Sequence, residues 1–249
     1  KALILELVSN NSSVHTELID SLIEKALQPG MSIEQVGTLL DCVEKIDTSP
    51  KRSHYHGTLA RIVNEATNFD IANVAIKRLE TIRPEIENKV VNSIFEKTLN
   101  WADSFPESAR KLGIFGFLAP SFGKLIEANK DKLLDVWISI MDSDSFAMDL
   151  RQGICGLVQQ NEVVSNIPKT KADGIPRKLF ELGKRVGPSD KRTFLKTLVN
   201  VQPLYNRKKL FKNEIAEYFK ELSQQPEDSP ERILGEELLK EVEAEAENT

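Results

Sequence analysis

The sequence has few aromatic residues and no long apolar run. Aromatic side chains make up 6% of the 249 residues, so aliphatic side chains must supply most of the core, as is usual where helices pack on helices. No apolar stretch approaches the roughly 18 residues that a membrane-spanning helix needs, and no signal-peptide pattern is present. We therefore expect no insertion into a membrane.

Cysteine is also scarce. Neither Cys42 nor Cys155 belongs to a CxxC motif, so the sequence suggests no zinc site and no redox motif. Both lie among apolar neighbours, which indicates buried thiols in a reducing compartment. We expect an intracellular protein, cytoplasmic or nuclear. Because the chain begins with Lys1 and not with Met, we also expect it to be a fragment of a longer protein.

The apolar residues that are present recur with a helical period along almost the whole chain. A typical run is Ile86, Val90, Val91, Ile94, Phe95 and Leu99, which forms one apolar face at a period near 3.6. No stretch sustains the period-two alternation of a strand. The predicted fold class is therefore all-α, with helices near 13–28, 32–46, 50–67, 69–81, 84–102, 106–118, 129–141, 145–160, 173–186, 189–201, 207–224 and 230–246.

Helix starts are marked by capping and proline signals. Ser32 with Gln35, and Ser104 with Glu107, have the spacing of a capping box, in which the serine oxygen accepts a hydrogen bond from an amide of the first turn. A proline in the first turn of a helix loses no hydrogen bond, and Pro188 is such a case. These signals predict where the helices begin.

The predicted helices fall into pairs. First helices begin near Phe69, Phe105, Asp144 and Pro188, at spacings of 36, 39 and 44 residues, and two-helix solenoid repeats have periods of about 34–47 residues. Segment 109–118 resembles the first helix of a HEAT repeat, because Arg110 is followed by glycine three and six residues later. Segment 149–157 also resembles it, with glycine two and five residues after Arg151, and 71–75 is a fainter match that lacks the arginine.

The resemblance to HEAT or armadillo repeats covers about residues 69–224. It implies two-helix repeats stacked as an α-solenoid, in which the second helices line a concave face. We therefore predict one repeat domain over 1–249, with N-terminal helices at 1–68, helix pairs at 69–224 and an acidic capping helix at 225–249. A non-repeat helical bundle is the alternative.

Charge is distributed unevenly along the chain, although the net charge is only −5. Residues 1–168 hold 17 basic and 23 acidic side chains, residues 169–212 hold 13 and 3, and residues 213–249 hold 3 and 12. Such segregation is typical of interaction surfaces. The acidic end has two interpretations: a capping helix with a charged outer face, or a mimic of an anionic ligand that folds over the basic block.

The basic block supplies the candidate binding residues. On the predicted helix 173–186, four cations share one face opposite the apolar stripe, and more follow on the next two helices. The predicted basic face consists of Arg177, Lys178, Lys184, Arg185, Lys191, Arg192, Arg207, Lys208 and Lys209. A solvated helix face with no binding role is the ordinary interpretation of such a charge run.

No catalytic or cofactor motif is recognisable. The segment from Gly116 to Gly123 has six intervening residues where a phosphate-binding loop has four, and Leu125 stands at its Ser/Thr position. The spacing of His54 and His56 places the two rings on different sides of a helix, so no metal site is predicted. We expect no cofactor, no metal and no enzymatic activity.

Three functional hypotheses follow. The first is a non-enzymatic α-solenoid scaffold that binds a partner protein, one with an acidic segment, through a groove with the basic face. The second is binding of nucleic-acid backbone by the 169–212 block, which needs clustered Lys and Arg. The third is the helical regulatory region of a larger enzyme.

Overall fold

The computed structural model describes residues 12–47 and 52–247 of the chain. This part contains α-helices, short 3-10 turns and loops but no strand, so the all-α prediction is confirmed. Contacts between helices divide the chain into two compact units, Lys1–Ser104 and Phe105–Thr249. The predicted single repeat domain stays a prediction.

The first unit contains five described helices. They are α1 (Ser12–Ala26), α2 (Ile33–Ile46), α3 (Ser53–Glu65), α4 (Phe69–Thr81) and α5 (Asn88–Ser104). Within this unit α3 packs against α1 and α5 as well as α4, whereas α2 packs against α1 and α4. Phe69 therefore begins the second helix of a close pair, not the first helix that its spacing predicts. The predicted helix start at residue 50 lies outside the described residues.

The second unit contains nine described α-helices. They are α6 (Ser108–Leu118), α7 (Glu127–Asp142), α8 (Met148–Val158), α9 (Asn161–Val164), α10 (Lys169–Ala172), α11 (Gly174–Arg185), α12 (Pro188–Asn200), α13 (Lys209–Ser223) and α14 (Pro230–Glu247). Helices α9 and α10 are absent from the prediction because four residues are too few to show a helical period.

The long helices of the second unit form two rows. In the first row α6, α8, α12 and α14 pack in succession, and they begin 40, 40 and 42 residues apart. In the second row α7 packs against α11, and α11 meets α13 through aromatic rings. The first-row helices thus recur after about 40 residues of chain, whereas the second-row helices begin 47 and 35 residues apart.

Three pairs of consecutive long helices in the second unit, joined by loops of two to six residues, pack against each other. The close pairs are α7 with α8, α11 with α12 and α13 with α14, and only Val186 and Gly187 separate α11 from α12. A short connection makes consecutive helices antiparallel neighbours, whereas the longer connections within the predicted pairs do not. The predicted pairing, in which 106–118 joins 129–141, is therefore displaced by one helix.

Polar contacts between helices repeat at the same interval as the helices themselves. In the second unit, hydrogen bonds that join Ser108 to Asp149, Arg185 to Asp142, and Asn200 to Gln159 span 41, 43 and 41 residues. In the first unit, the bond from Arg61 to Asp20 spans 41 residues. Such regular separations are expected where each helix contacts its counterpart one repeat away.

Two capping predictions have opposite outcomes. The capping box at Ser32 is present, since its hydroxyl accepts from the Gln35 amide at 3.2 Å and the Gln35 side chain accepts from the Ser32 amide at 2.9 Å. The one at Ser104 is wrong. Helix α5 extends to Ser104, whose hydroxyl donates to the carbonyl of Trp101 at 2.8 Å, and Glu107 occupies the N-cap of α6.

The small residues of the HEAT-like segments do not share one role. A Cβ atom at Gly153 would lie 2.5 Å from Cδ2 of Leu112, so a larger residue here would force the end of the Leu112 side chain to move where α6 and α8 approach closely. By contrast, Gly113, Gly116 and Gly156 have open space where a Cβ atom would stand. Only one of the four glycines is therefore explained by helix packing.

The two arginines of these segments also differ. Arg151 is 4% exposed; its Nε donates to the Met141 carbonyl at 2.9 Å and its Nη1 to Asp144 at 3.1 Å. Arg110 is exposed and lies 4.9 Å from the centre of the Phe105 ring. Arg151 thus ties the loop after α7 to α8, whereas Arg110 has no comparable structural role.

Candidate functional site: a basic and aromatic groove

The four predicted cations of α11 divide into two pairs. Arg177 with Lys184, and Lys178 with Arg185, are each seven residues apart, so each pair forms a row along one edge of the helix. The apolar side of α11 is buried through Ile175, Leu179, Phe180 and Leu182. The two rows of cations therefore lie along the two edges of the polar side of α11, and each row contacts a different neighbouring helix.

The row formed by Lys178 and Arg185 is neutralised by α7. Nζ of Lys178 lies 2.8 Å from Oδ2 of Asp142, and Nη2 of Arg185 lies 3.1 Å from Oδ1 of the same carboxylate. The hydrogen bond from Lys178 holds the pKa of Asp142 below its usual value, and Arg185 adds to this effect. These two cations contribute to the packing of α11 against α7, and their charge is neutralised by Asp142.

The row formed by Arg177 and Lys184 meets aromatic rings. The guanidinium carbon of Arg177 lies 5.0 Å from the centre of the Phe211 ring. Nζ of Lys184 lies 4.9 Å from the ring centre of Phe180 and 5.3 Å from that of Tyr218. Both cations are exposed, and neither forms an ion pair with a described residue. Contacts with ring faces restrict their directions without cancelling their charge.

A groove runs between α11 and α13 beside this row. It encloses about 220 Å³ and is lined by Arg177, Phe180, Glu181, Lys184, Phe211 and Glu214; we call it the α11–α13 groove. Its floor is an aromatic cluster, since Phe180 meets Phe211 and Tyr218 edge to face at 5.8 and 5.5 Å between ring centres. Such pairs add packing energy beyond the area that they bury.

The groove carries both signs of charge. Glu181 and Glu214 line it together with Arg177 and Lys184, yet neither carboxylate forms an ion pair with any residue that the structure describes. Leu210 lies one turn before Glu214 on the same face of α13 and is 87% exposed. The surface beside the groove thus combines an exposed leucine with four charges that no described ion pair neutralises.

The remaining predicted cations have different ionic surroundings. Arg192 pairs with Glu237 at 2.8 Å, and Lys208 pairs with Asp173. Lys191, Arg207 and Lys209 form no ion pair within the described part of the chain and are at least partly exposed. The nine predicted residues therefore differ in whether a carboxylate of the chain neutralises them.

The acidic C-terminal helix contacts the basic block directly. Glu237 of α14 lies 2.8 Å from Arg192 and 2.5 Å from Lys196, and the hydrogen bond from Lys196 lowers the pKa of Glu237. Leu234 and Leu238 of the same helix are buried. Helix α14 thus both covers apolar surface and neutralises cations of α12.

A second groove lies in the first unit, and the sequence did not predict it. It encloses about 440 Å³ between α2 and α4 and includes Ile33, Val74 and Arg78. Arg78 contacts Asp41 and Glu44 and donates to the Gly37 carbonyl at 3.3 Å. Its two acidic partners precede it by 37 and 34 residues. Opposite charges about one repeat apart were the signal that could have indicated this cluster.

The groups considered for metal or phosphate chemistry have structural surroundings. Within residues 12–47 and 52–247 no three His, Cys, Asp or Glu side chains gather as a metal site. Burial raises the pKa of Cys155 to about 12, so its thiol is not nucleophilic near neutral pH. The segment Ala119–Lys124 is a 3-10 turn after a helix, and the Gly123 amide donates to Glu162 at 3.1 Å.

Comparisons with known proteins leave the family open. No protein-family model matches the chain, and no curated protein matches it with significant similarity. Among the described helices, none is both long and apolar enough to cross a bilayer. The resemblance to HEAT or armadillo repeats therefore stays a prediction from the sequence.

Proposed function

We propose that this chain is a non-enzymatic helical-repeat scaffold that binds a partner protein through the α11–α13 groove. The observation that carries the proposal is the pair Arg177 and Lys184, which are exposed and held over aromatic rings without a carboxylate partner in the described structure. Their neighbours Lys178 and Arg185 share one carboxylate. The chain thus neutralises one row of α11 and leaves the other available.

The scaffold proposed is an α-solenoid of the HEAT or armadillo type. First-row helices of the second unit begin 40, 40 and 42 residues apart, within the repeat range of about 34–47 residues. Hydrogen bonds between counterpart helices recur at similar separations, as between Ser108 and Asp149. Both observations favour stacked repeats over a bundle without repeats.

A protein partner is favoured over nucleic acid by the distribution of charge. Six of the thirteen cations between residues 169 and 212 pair with carboxylates of this chain, namely Lys171, Lys178, Arg185, Arg192, Lys196 and Lys208. Glu181 and Glu214 also line the groove beside the unpaired cations. A phosphate backbone needs a surface of one sign, whereas a protein segment can match both signs.

Affinity capture with charge variants tests this function. The tagged chain and its Arg177→Glu/Lys184→Glu variant are used to capture proteins from an extract, with bound proteins quantified by mass spectrometry. We expect at least one partner to be retained by the original chain and reduced about 10-fold or more by the double variant, because two contacts become repulsive.

The matched control reverses two lysines outside the groove. Lys169 and Lys220 are exposed and form no ion pair within the described structure, so Lys169→Glu/Lys220→Glu gives the same net charge as the test variant. The control should retain the partner. Loss of every partner by both variants, or by neither, contradicts binding through the groove.

A further inference from the structure

We infer that the α11–α13 groove binds an amphipathic helix of the partner, one that carries an acidic, a basic and an acidic residue in register. The inference rests on the proposed function and specifies the partner of the same groove. Its basis is the order of charges along α11, where Arg177, Glu181 and Lys184 are spaced at i, i+4 and i+7. All three side chains are exposed, and none forms an ion pair with the described residues.

The spacing of these charges matches a helix better than a strand. Along the axis of α11, Glu181 lies about 6 Å from Arg177, and Lys184 lies about 4.5 Å further on. A helix laid alongside α11 presents residues at the same rises, because its geometry is the same. An extended segment presents same-face residues about every 6.6–6.8 Å, which fits the first interval but not the second.

The signs of the charges select the partner's residues. Acidic positions on the partner would face Arg177 and Lys184, and a basic position would face Glu181 and Glu214. Individual exposed ion pairs are weak, but a row of alternating signs discriminates between registers because a shifted partner brings like charges together. The ring contacts of both cations reduce the ordering that binding requires.

Leu210 supplies an apolar contact at the rim. It stands one turn before Glu214 on the face of α13 next to the groove, and 87% of its surface is exposed. A partner helix over the groove would cover this leucine with an apolar residue of its own, which is the usual arrangement of a helix in a groove. The groove's volume of about 220 Å³ is below the range of about 300–1,000 Å³ for small-molecule sites.

Two labelled helical peptides test the inference. Both are Ala-based peptides of about 21 residues with one Leu, two Glu and one Lys; they differ only in order, Glu-Lys-Glu or Lys-Glu-Glu at positions i, i+4 and i+7. Their affinities for the full chain are measured by fluorescence anisotropy. We expect the Glu-Lys-Glu peptide to bind about 10-fold more tightly, since the other order places like charges opposite Arg177 and Glu181.

A charge-reversed protein sharpens the test. The Arg177→Glu/Glu181→Lys/Lys184→Glu variant changes only exposed side chains, and circular dichroism verifies its helix content. It should prefer a Lys-Glu-Lys peptide over Glu-Lys-Glu, whereas the Lys169→Glu/Lys220→Glu control should keep the original preference. A reversal of preference is a result that a change in folding alone cannot produce.

Other outcomes overturn the inference in distinguishable ways. Equal affinity for both peptide orders, or no binding of either at millimolar peptide, shows that the groove does not recognise a helix by the order of its charges. If Arg177→Glu/Lys184→Glu still loses the captured protein, the proposed function stands with a partner of another conformation. If that capture is also unaffected, both fail. A labelled single-stranded oligonucleotide that binds more tightly than either peptide, and weakens steeply with salt, overturns the inference in favour of nucleic acid.

Discussion

Arg177 and Phe211 join α11 to α13, with the guanidinium carbon 5.0 Å from the centre of the ring. Lys178, the next residue in the chain, instead joins α11 to α7 through Asp142. Adjacent cations of one helix thus serve different neighbours. The consequence is a helix with one neutralised edge and one edge whose charge is available, and this asymmetry defines the groove.

Substitution of Asp142 should release the neutralised edge. Asp142→Asn removes the carboxylate shared by Lys178 and Arg185. Because the side chain is 37% exposed, we expect a loss of only about 0.5–1 kcal/mol in the free energy of unfolding at pH 7, measured with urea. Glu217→Gln, at an exposed position without an ion pair in the described structure, is the matched control and should change little.

The pH dependence of this effect has a definite sign. Since the pKa of Asp142 is lowered in the folded chain, its carboxylate stabilises the fold above the unfolded pKa of about 3.9, and the contribution is lost as pH falls through the folded pKa. The difference between the original chain and Asp142→Asn should therefore shrink as the pH falls below about 3.9. A difference that does not decrease with falling pH contradicts stabilisation by this ion pair.

His56 should make the fold less stable below neutral pH. The imidazole is 2% exposed, and burial lowers its pKa although Glu85, Asp47 and Glu87 act in the opposite direction. The folded state resists protonation, so stability present above the unfolded pKa of about 6.5 is lost as pH falls towards and through the folded pKa.

Unfolding of two histidine variants between pH 7.5 and 5 measures this effect. The uncharged His56→Gln should show a flatter decline in the free energy of unfolding than the original chain. His54→Gln is the control for the loss of a histidine from this helix, because His54 is exposed and lies two residues before His56. The flattening should be larger for His56→Gln than for His54→Gln. Equal slopes for all three proteins would mean that His56 titrates alike in both states.

Two glycines of the second unit should respond oppositely to alanine. A Cβ atom at Gly235 would lie 2.4 Å from the backbone nitrogen of Ser223, and backbone cannot move aside cheaply. Gly113 has open space at the same position. Thermal and urea unfolding should show a loss of about 1–3 kcal/mol for Gly235→Ala and a gain of about 0.5–1 kcal/mol for Gly113→Ala. A stabilising Gly235→Ala is incompatible with the packing of α13 on α14.

The two arginines of the HEAT-like segments provide another matched pair. Arg151→Met keeps much of the buried volume but removes the hydrogen bonds to Met141 and Asp144. We expect a loss of about 2 kcal/mol in the free energy of unfolding. Arg110→Met should cost less than about 0.5 kcal/mol, because Arg110 is exposed. Similar losses for both would contradict their different burial.

Helix positions could be predicted because the spacing of apolar residues and the capping residues depend only on nearby sequence. The prediction for 69–81 agrees with α4, and Ser32 forms the expected capping box. The capping box predicted at Ser104 was wrong because a serine hydroxyl can also donate to a carbonyl of the helix that contains it, as Ser104 does to Trp101. Pairing of helices was displaced because loop lengths, which decide adjacency, depend on short 3-10 and helical turns that carry no periodic signal.

The candidate site was predictable only in part. The helical angle places Arg177, Lys178, Lys184 and Arg185 on the polar side of α11. It cannot indicate which of them is neutralised, because Asp142 lies 36 residues before Lys178 and reaches it only through the packing of α7 against α11. Likewise, α13 brings Phe211 under Arg177 from 34 residues further along the chain.

Photo-crosslinking from a residue beside the α11–α13 groove tests directly whether a partner protein binds there. A benzophenone amino acid replaces Leu210 in one protein and Lys169 in another, and both are irradiated in a cell extract. If a partner binds in the groove, position 210 should give a protein adduct of defined mass and position 169 should give none. The Arg177→Glu/Lys184→Glu substitutions should abolish the adduct from position 210. Equal adducts from both positions, no adduct from 210, or an adduct removed by nuclease would contradict binding of a partner protein in the groove.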